Sequence, residues 1–303
     1  MHSTRHCERY PLPIPSIQFS HRHANQAELQ VIDFAELYQR EALGHNPQAL
    51  HRIKFFGIIV INEGYGTHMV DFKEYQFTAG SVIFVQKSQA HCFDFSNRPQ
   101  GKIIVFTQAF LDQLHANMRF PHYTPTHLSV DHSPLLQLDP LQHQNTQDLI
   151  VKMTQEIARS DSDPLIVMYL FSAFALSLQR LRPQINADKL SHDQSVRFTH
   201  FFELMQTHFD KTRDATWYAL QLNTTYKTLN HICKLATGFT AKQLINAFTI
   251  LEIKRRLVMS EATSQHIAHD LGFEDSSNFV KYFKKQVGST PYQFTQKYKT
   301  PTL

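Results

Sequence analysis

The stretch IAHDLGFEDSSNFVKYFKKQVGSTPY, running from Ile267 to Tyr292, decides how the rest of this chain is read. It begins inside a short helical pattern, Ser264–Leu271, that carries the small residue Ala268. Gly272-Phe273 follows, where glycine lets the backbone turn and phenylalanine can plug a core. Asp275 then stands where a carboxylate can accept the orphan N–H groups of a new helix. Phe279, Tyr282 and Phe283 come four, seven and eight positions after that cap, which is one stripe of a helix. Lys284 lies just beyond, and Gly288 stops the helix in the left-handed conformation. A short helix, a tight turn and a capped second helix make a helix-turn-helix, and the small residue lets the two helices cross closely.

Working outward, the same arrangement recurs at an offset of 50 residues. Thr225, Leu229, Ile232, Cys233, Lys234, Gly238, Thr240 and Ala241 answer to Asp275, Phe279, Tyr282, Phe283, Lys284, Gly288, Thr290 and Pro291. The short helix of this first copy is Thr216–Leu222, with Ala219 as its small residue. Between the copies Ala241–Met259 reads as a connecting helix with Leu244, Ile245, Phe248, Leu251, Ile253 and Leu257 inward. Its Lys254-Arg255-Arg256 suits the negative end of a helix dipole.

Positions facing away from each apolar stripe are the ones able to touch another molecule. In the first copy these are Tyr226, Lys227, Thr228, Asn230 and His231; in the second they are Ser276, Ser277, Asn278 and Lys281. If the partner is duplex DNA, Lys281 can donate to guanine, and Asn230 or Asn278 can pair with adenine. His231 can donate in a suitable protonation state. Lys234, Lys284 and Lys285 lie further along and suit phosphates, which give affinity without sequence information. Solvated helix surface is the plain alternative for each.

The Ile267–Tyr292 stretch resembles the C-terminal signature of the AraC/XylS family of transcription regulators, and the similarity extends from Arg197 to Tyr298. The first copy departs from the family pattern. Tyr218-Ala219 stands where Leu-Ala is usual, His231 where Arg is usual, and Cys233 where Phe is usual. The resemblance implies a double helix-turn-helix whose second helices enter successive major grooves, roughly 34 Å apart. It also implies that Lys227, His231, Ser277 and Lys281 face bases.

Charge agrees with that division. Residues 191–303 carry 14 Lys/Arg against 9 Asp/Glu, whereas residues 1–190 carry 16 against 17. All the positive surplus therefore lies in the last third, as in a neutral domain joined to one that meets phosphates. With 42% apolar and 18% charged residues, a globular chain is expected rather than a disordered one. Cys7, Cys92 and Cys233 are odd in number and far apart, which suits reduced thiols and argues against a disulfide framework or zinc ribbon. No secretory signal is read at the start, and no apolar run approaches the ~20 residues of a membrane span.

Upstream, residues 1–50 are His- and Pro-rich and loosely patterned. From Ile53 the texture changes to short apolar runs: Ile53–Ile61, a turn at Gly64-Tyr-Gly66, Thr67–Phe72, a break, then Ser81–Val85, His91–Phe95 and Lys102–Thr107. Such spacing predicts a β-barrel or sandwich. Helical patterning begins near Phe110 and returns from Gln144, with Leu149, Met153, Glu156 and Ile157. Pro164 opens a second helix, Leu165–Leu181, apolar on most sides. The run Gly64–Phe106 is similar to the cupin-like sensor found in many family members. A cupin enzyme would need two close histidines, a carboxylate and a later histidine. Here His68 stands without a second histidine two positions on, with Glu74 nearby and His91 after a later strand, so no metal or other cofactor is expected.

The expectation is therefore an α+β chain of two domains and no enzyme. Residues 1–183 form a cupin-like β-barrel (about 50–110) with flanking helices (about 144–182), residues 184–194 a polar linker, and residues 195–303 an all-α double helix-turn-helix domain. Tyr65, His68, Phe84, His91 and Phe93 are the candidate lining of an effector pocket, the alternative being a packed barrel core. Expected partners are operator DNA, a small-molecule effector and a second copy of the chain joined through the 144–182 helices, with RNA polymerase a further candidate. A membrane is not among them, and the cytoplasm is the expected location. Activation and repression are both open. Two other readings are a cupin-type metalloenzyme with a DNA-binding tail and a ligand-independent architectural DNA binder. No nucleophile–base pair and no Gly-x-Gly-x-x-Gly loop supports catalysis.

Overall fold

The computed structural model describes residues 16–20, 28–39, 46–118, 133–181, 190–260 and 262–299. Two five-stranded sheets form the N-terminal part, in place of one closed barrel. The first sheet contains β1 (Ser16–Ile17), β3 (His51–Ile53), β5 (Tyr65–Val70), β6 (Lys73–Thr78) and β8 (Ala90–Phe93), in the order β1-β3-β8-β5-β6. The second contains β2 (Leu29–Asp33), β4 (Phe56–Glu63), β7 (Ser81–Val85), β9 (Gln100–Phe106) and β10 (Leu135–Gln137), in the order β10-β7-β4-β9-β2. A short helix α1 (Phe34–Gln39) follows β2.

β4 shows why the second sheet sits in the middle. Six consecutive residues, Phe56 to Ile61, are buried. Ile59 and Ile61 join Ile83, Val85, Ile103 and Val105 against the first sheet. Phe56, Ile58 and Val60 point the other way, into a core shared with three helices. A strand covered on both faces loses the alternation of a half-buried one. The covering helices are α2 (Gln108–Met118), α3 (Pro140–Ile157) and α4 (Pro164–Leu181). Asp139 and Gln142 close a capping box at the start of α3, which therefore begins earlier than its apolar pattern suggests. By length and composition alone α4 could cross a membrane. Its Val167, Met168, Phe171, Phe174 and Leu178 are instead buried on the sheet, while Ile166, Tyr169 and Leu176 remain exposed.

The break read between Thr67–Phe72 and Ser81–Val85 is in fact β6, a sheet-edge strand. Its sequence KEYQFT buries only Phe77 fully, so charged and polar outward residues masked it. The linker expected over 184–194 lies largely outside the described residues, which resume at Leu190. Helix α5 (His192–His208) follows, capped by Ser191.

Six further helices complete the C-terminal part: α6 (Ala215–Gln221), α7 (Tyr226–Thr237), α8 (Ala241–Met259), α9 (Ser264–Asp270), α10 (Ser276–Val287) and α11 (Pro291–Lys299). α7 and α10 are each twelve residues long and end at left-handed Gly238 and Gly288. Residues that depart from the family pattern fit locally. Tyr218 is fully buried, with its ring edge-on to Phe201 at 5.6 Å and its hydroxyl donating to Thr212 O at 3.2 Å. Cys233 is fully buried in the same core.

Candidate nucleic-acid interface and effector cavity

Each helix-turn-helix is assembled by side chains that close backbone groups. Thr225 Oγ1 accepts from Thr228 N at 3.1 Å, and Asp275 Oδ1 accepts from Asn278 N at 2.7 Å. Ahead of these caps, Asn223 (φ +50) and Gly272 (φ +67) make the same left-handed turn. Thr224 N donates to Ala219 O, and Phe273 N to Ala268 O, both at 3.0 Å. Asparagine tolerates that region, so the first copy turns without a glycine. Ala219 and Ala268 are buried at the helix crossings, as their size requires.

Tyr226, Lys227, Thr228, His231 and Lys234 are exposed on α7, as are Ser276, Ser277, Asn278, Lys281, Lys284 and Lys285 on α10. Asn230 is a correction. It is half-buried and its Oδ1 accepts from Ala241 N at 3.0 Å, tying α7 to the start of α8. Bidentate pairing with adenine needs that oxygen, so Asn230 leaves the set of base readers. Asn278 remains exposed while its Nδ2 donates to Asp275 Oδ2 at 2.9 Å.

Of the basic run on α8, Arg256 lies in the last turn, as the dipole reading expects, while Arg255 has a different task. Arg255 is buried at 4% exposure and makes a two-pronged contact with Asp71 of the β5–β6 turn. Its Nε donates to Oδ1 at 3.0 Å and its Nη2 to Oδ2 at 2.8 Å. Glu252 pairs with both Arg255 and Arg52 of β3. Burial alone would raise the Asp71 carboxyl; Arg255, Gln89 and the Ala90 N–H outweigh it and hold the carboxyl below its ordinary value. Burial likewise opposes the Arg255 charge, but Asp71 and Glu252 prevail and bind its proton more tightly. The Lys254 ammonium lies 5.6 Å from the Phe294 ring centre, and the Arg256 guanidinium 5.0 Å from that of Phe209.

The turn that carries Asp71 is strained. Val70 pairs with Lys73, leaving a two-residue loop in which Asp71 (φ +47) and Phe72 (φ +67) are both left-handed. Asn-Gly suits such a loop, and a bulky residue there is an outlier. Phe72 is held against Phe294 and Tyr298 of α11, at ring separations of 5.2 and 5.0 Å. The Tyr298 hydroxyl donates to Phe72 O at 3.2 Å.

Between the two sheets lies a cavity of about 170 Å³. Of the five candidate lining residues, His91 and Phe93 border it. His68 is fully buried behind them, its ring 5.3 Å from His91 and 4.6 Å from Phe93. Tyr65 and Phe84 do not face it. On β5 Gly66, His68 and Val70 point inward, which turns Tyr65 out to 62% exposure. On β7 Ile83 and Val85 point inward, which turns Phe84 towards the helices. Gln30 lines the cavity from β2, within the loosely patterned residues 1–50, and His51 from β3 just beyond them, where the sequence offered no periodic signal. Among the described residues no group of three or more His, Cys, Asp or Glu is arranged to hold a metal ion.

Two family models match this arrangement. One, described as "AraC-like ligand binding domain", covers residues 36–174, and the other, "Helix-turn-helix domain", covers residues 218–297. The chain belongs to the AraC family. The transcriptional activator RhaS of Escherichia fergusonii is 23% identical over 255 residues, covering 81% of this chain and 87% of that one. RhaS of Escherichia coli O81 is 24% identical over 256 residues with the same coverage. Among solved structures, ToxT from Vibrio cholerae matches 91% of this chain and 100% of its own at 13% identity and a TM-score of 0.45. The AraC-family chain thus joins a ligand-binding sheet domain to a DNA-binding helical one.

Proposed function

We propose that this AraC-family chain is a sequence-specific transcription regulator that reads two successive major grooves through α7 and α10. A small molecule in the inter-sheet cavity controls it. The observation that carries the reading is the pair of capped, glycine-stopped helices that expose Lys227 and His231 on α7 and Ser277 and Lys281 on α10. Lys234, Lys284 and Lys285 supply phosphate contacts. The exposed stripe of Leu165, Ile166, Tyr169 and Leu176 on α4 supports a homodimer through that helix, which would place two double readers on paired half-sites. RNA polymerase is a further partner of such a promoter-bound protein.

The cavity communicates with the reading domain through shared strands. On β3, His51 lines the cavity and the adjacent Arg52 reaches Glu252 of α8. On β8, His91 lines the cavity and the adjacent Ala90 bonds Asp71 in both directions. An effector that moves these histidines therefore biases the contact that positions α8, provided it binds the two arrangements with different affinity.

Selection of genomic fragments by the purified chain tests the reading. One bipartite motif whose halves lie about 10 bp apart is the expected result. Lys281→Ala and His231→Ala should each weaken binding to that motif by about 1–3 kcal/mol with helicity unchanged. Binding that enriches no motif and merely collapses in salt would overturn it.

A further inference from the structure

The walls of the inter-sheet cavity select a class of ligand, and this inference rests on the effector reading above. Ile32, Ile53, Phe55, Val85 and Phe93 give it an apolar body. Its polar groups include Gln30, His51 and His91, and among the described lining residues none is Asp, Glu, Lys or Arg. An ionised ligand would lose hydration here without meeting a fixed counter-charge among those residues.

Protonated histidine is a poor substitute for that counter-charge. The His51 and His91 rings lie 4.2 Å apart, with His68 5.3 Å beyond, so charging one opposes charging the next. The surroundings are apolar as well: the fully buried His68 ring lies 4.6 Å from that of Phe93, and neither of its nitrogens has a hydrogen-bonding partner among the described residues. A sugar fits no better, because each buried hydroxyl needs a partner. Gln30, at 6% exposure, already commits its Nε2 to Ser20 O at 2.7 Å, which leaves its amide oxygen as the acceptor. Size narrows the class further. An apolar cavity of about 150 Å³ takes benzene, so about 170 Å³ suits one ring with a small substituent.

We propose that the cavity binds an uncharged, predominantly apolar molecule about the size of one aromatic ring, with a single hydrogen-bonding group seated at Gln30 and the His51–His91 pair.

Calorimetric titration of the full chain with phenol, indole, toluene, benzoate and a neutral hexose tests this. Phenol or indole should bind once per chain, with benzoate and the hexose at least about tenfold weaker. Gln30→Leu and His51→Phe should each weaken phenol by about fivefold while toluene is unaffected. Gly57→Val serves as a blocking variant with an intact strand. A Cβ there meets Val85 Cβ at 3.8 Å and Ile53 Cδ1 at 3.9 Å, ordinary contacts, and the side chain intrudes on the cavity. It should abolish binding of every probe while operator binding persists. Tighter binding of benzoate or the hexose overturns the ligand class and leaves effector control standing. Failure of every probe overturns the class too; if operator affinity is then also unmoved by a crude small-molecule extract, effector control falls with it.

Discussion

His68 lies in full burial beside Phe93, and whichever tautomer it adopts, its ring N–H finds no acceptor among the described residues. Burial, with a smaller contribution from His51, pushes its pKa down from 6.5 to about 3. The native state therefore refuses a proton that the unfolded chain accepts below pH 6.5. Stability is flat above that value and falls as pH drops from 6.5 towards 3. The loss between pH 7 and pH 5 comes to about 2 kcal/mol. Urea midpoints at the two pH values should show that drop in the parent chain and a much smaller one in His68→Leu. An equal drop in both would place the slope in other groups. At this scale the sequence reading fell short of what strand periodicity allows. The period of two that brings His68, His91 and Phe93 inward turns Tyr65 and Phe84 away, so all five could not line one cavity. Asn230 was misplaced because nothing in a helical pattern announces a hydrogen bond to the next helix's first N–H.

Among the elements, the helices of the reading domain were the most legible. Caps, stripe and stop glycine are local rules that tertiary packing had no reason to override. α8 runs from Ala241 to Met259, as its pattern predicts. β6 was hidden because an edge strand with polar outward residues lacks apolar alternation, β1 and β3 because two or three residues show no period, and β2 because it buries the polar Gln30 beside Leu29 and so breaks the alternation. α4 has a property that periodicity alone does not settle: it is apolar on both the face that packs on the sheet and the face that does not. Tyr169 is 58% exposed at the centre of the outer stripe. If that stripe joins two copies, Tyr169→Glu and Ile166→Glu should shift sedimentation from a dimer to a monomer at micromolar concentration. Secondary structure should be retained, since neither side chain belongs to the buried set. A parent chain that sediments as a monomer would mean that α4 only covers the sheet.

For the whole molecule the deciding feature is the Asp71-Phe72 turn, which no sequence pattern joins to α8, since its partner Arg255 is 184 residues away. Two consecutive left-handed residues cost on the order of 1–3 kcal/mol each unless glycine or asparagine occupies them. The hairpin would thus fold more easily as Asn-Gly. The residues actually present are the ones that reach α8 and α11, so local strain is retained where it makes an inter-domain contact. The double variant Asp71→Asn/Phe72→Gly separates the two effects. Hairpin strain should fall and the N-terminal sheets should remain folded. Arg255, however, loses its main counter-ion, and removing one partner of a buried pair costs about 3–5 kcal/mol. Calorimetry should then show two unfolding transitions, the helical domain melting first, where the parent chain shows one coupled transition. Effector should still bind the cavity, because no lining residue has changed, but operator affinity should no longer respond to it. A double variant that keeps a full operator response would move the coupling route away from this turn, to the covalent connection between α4 and α5.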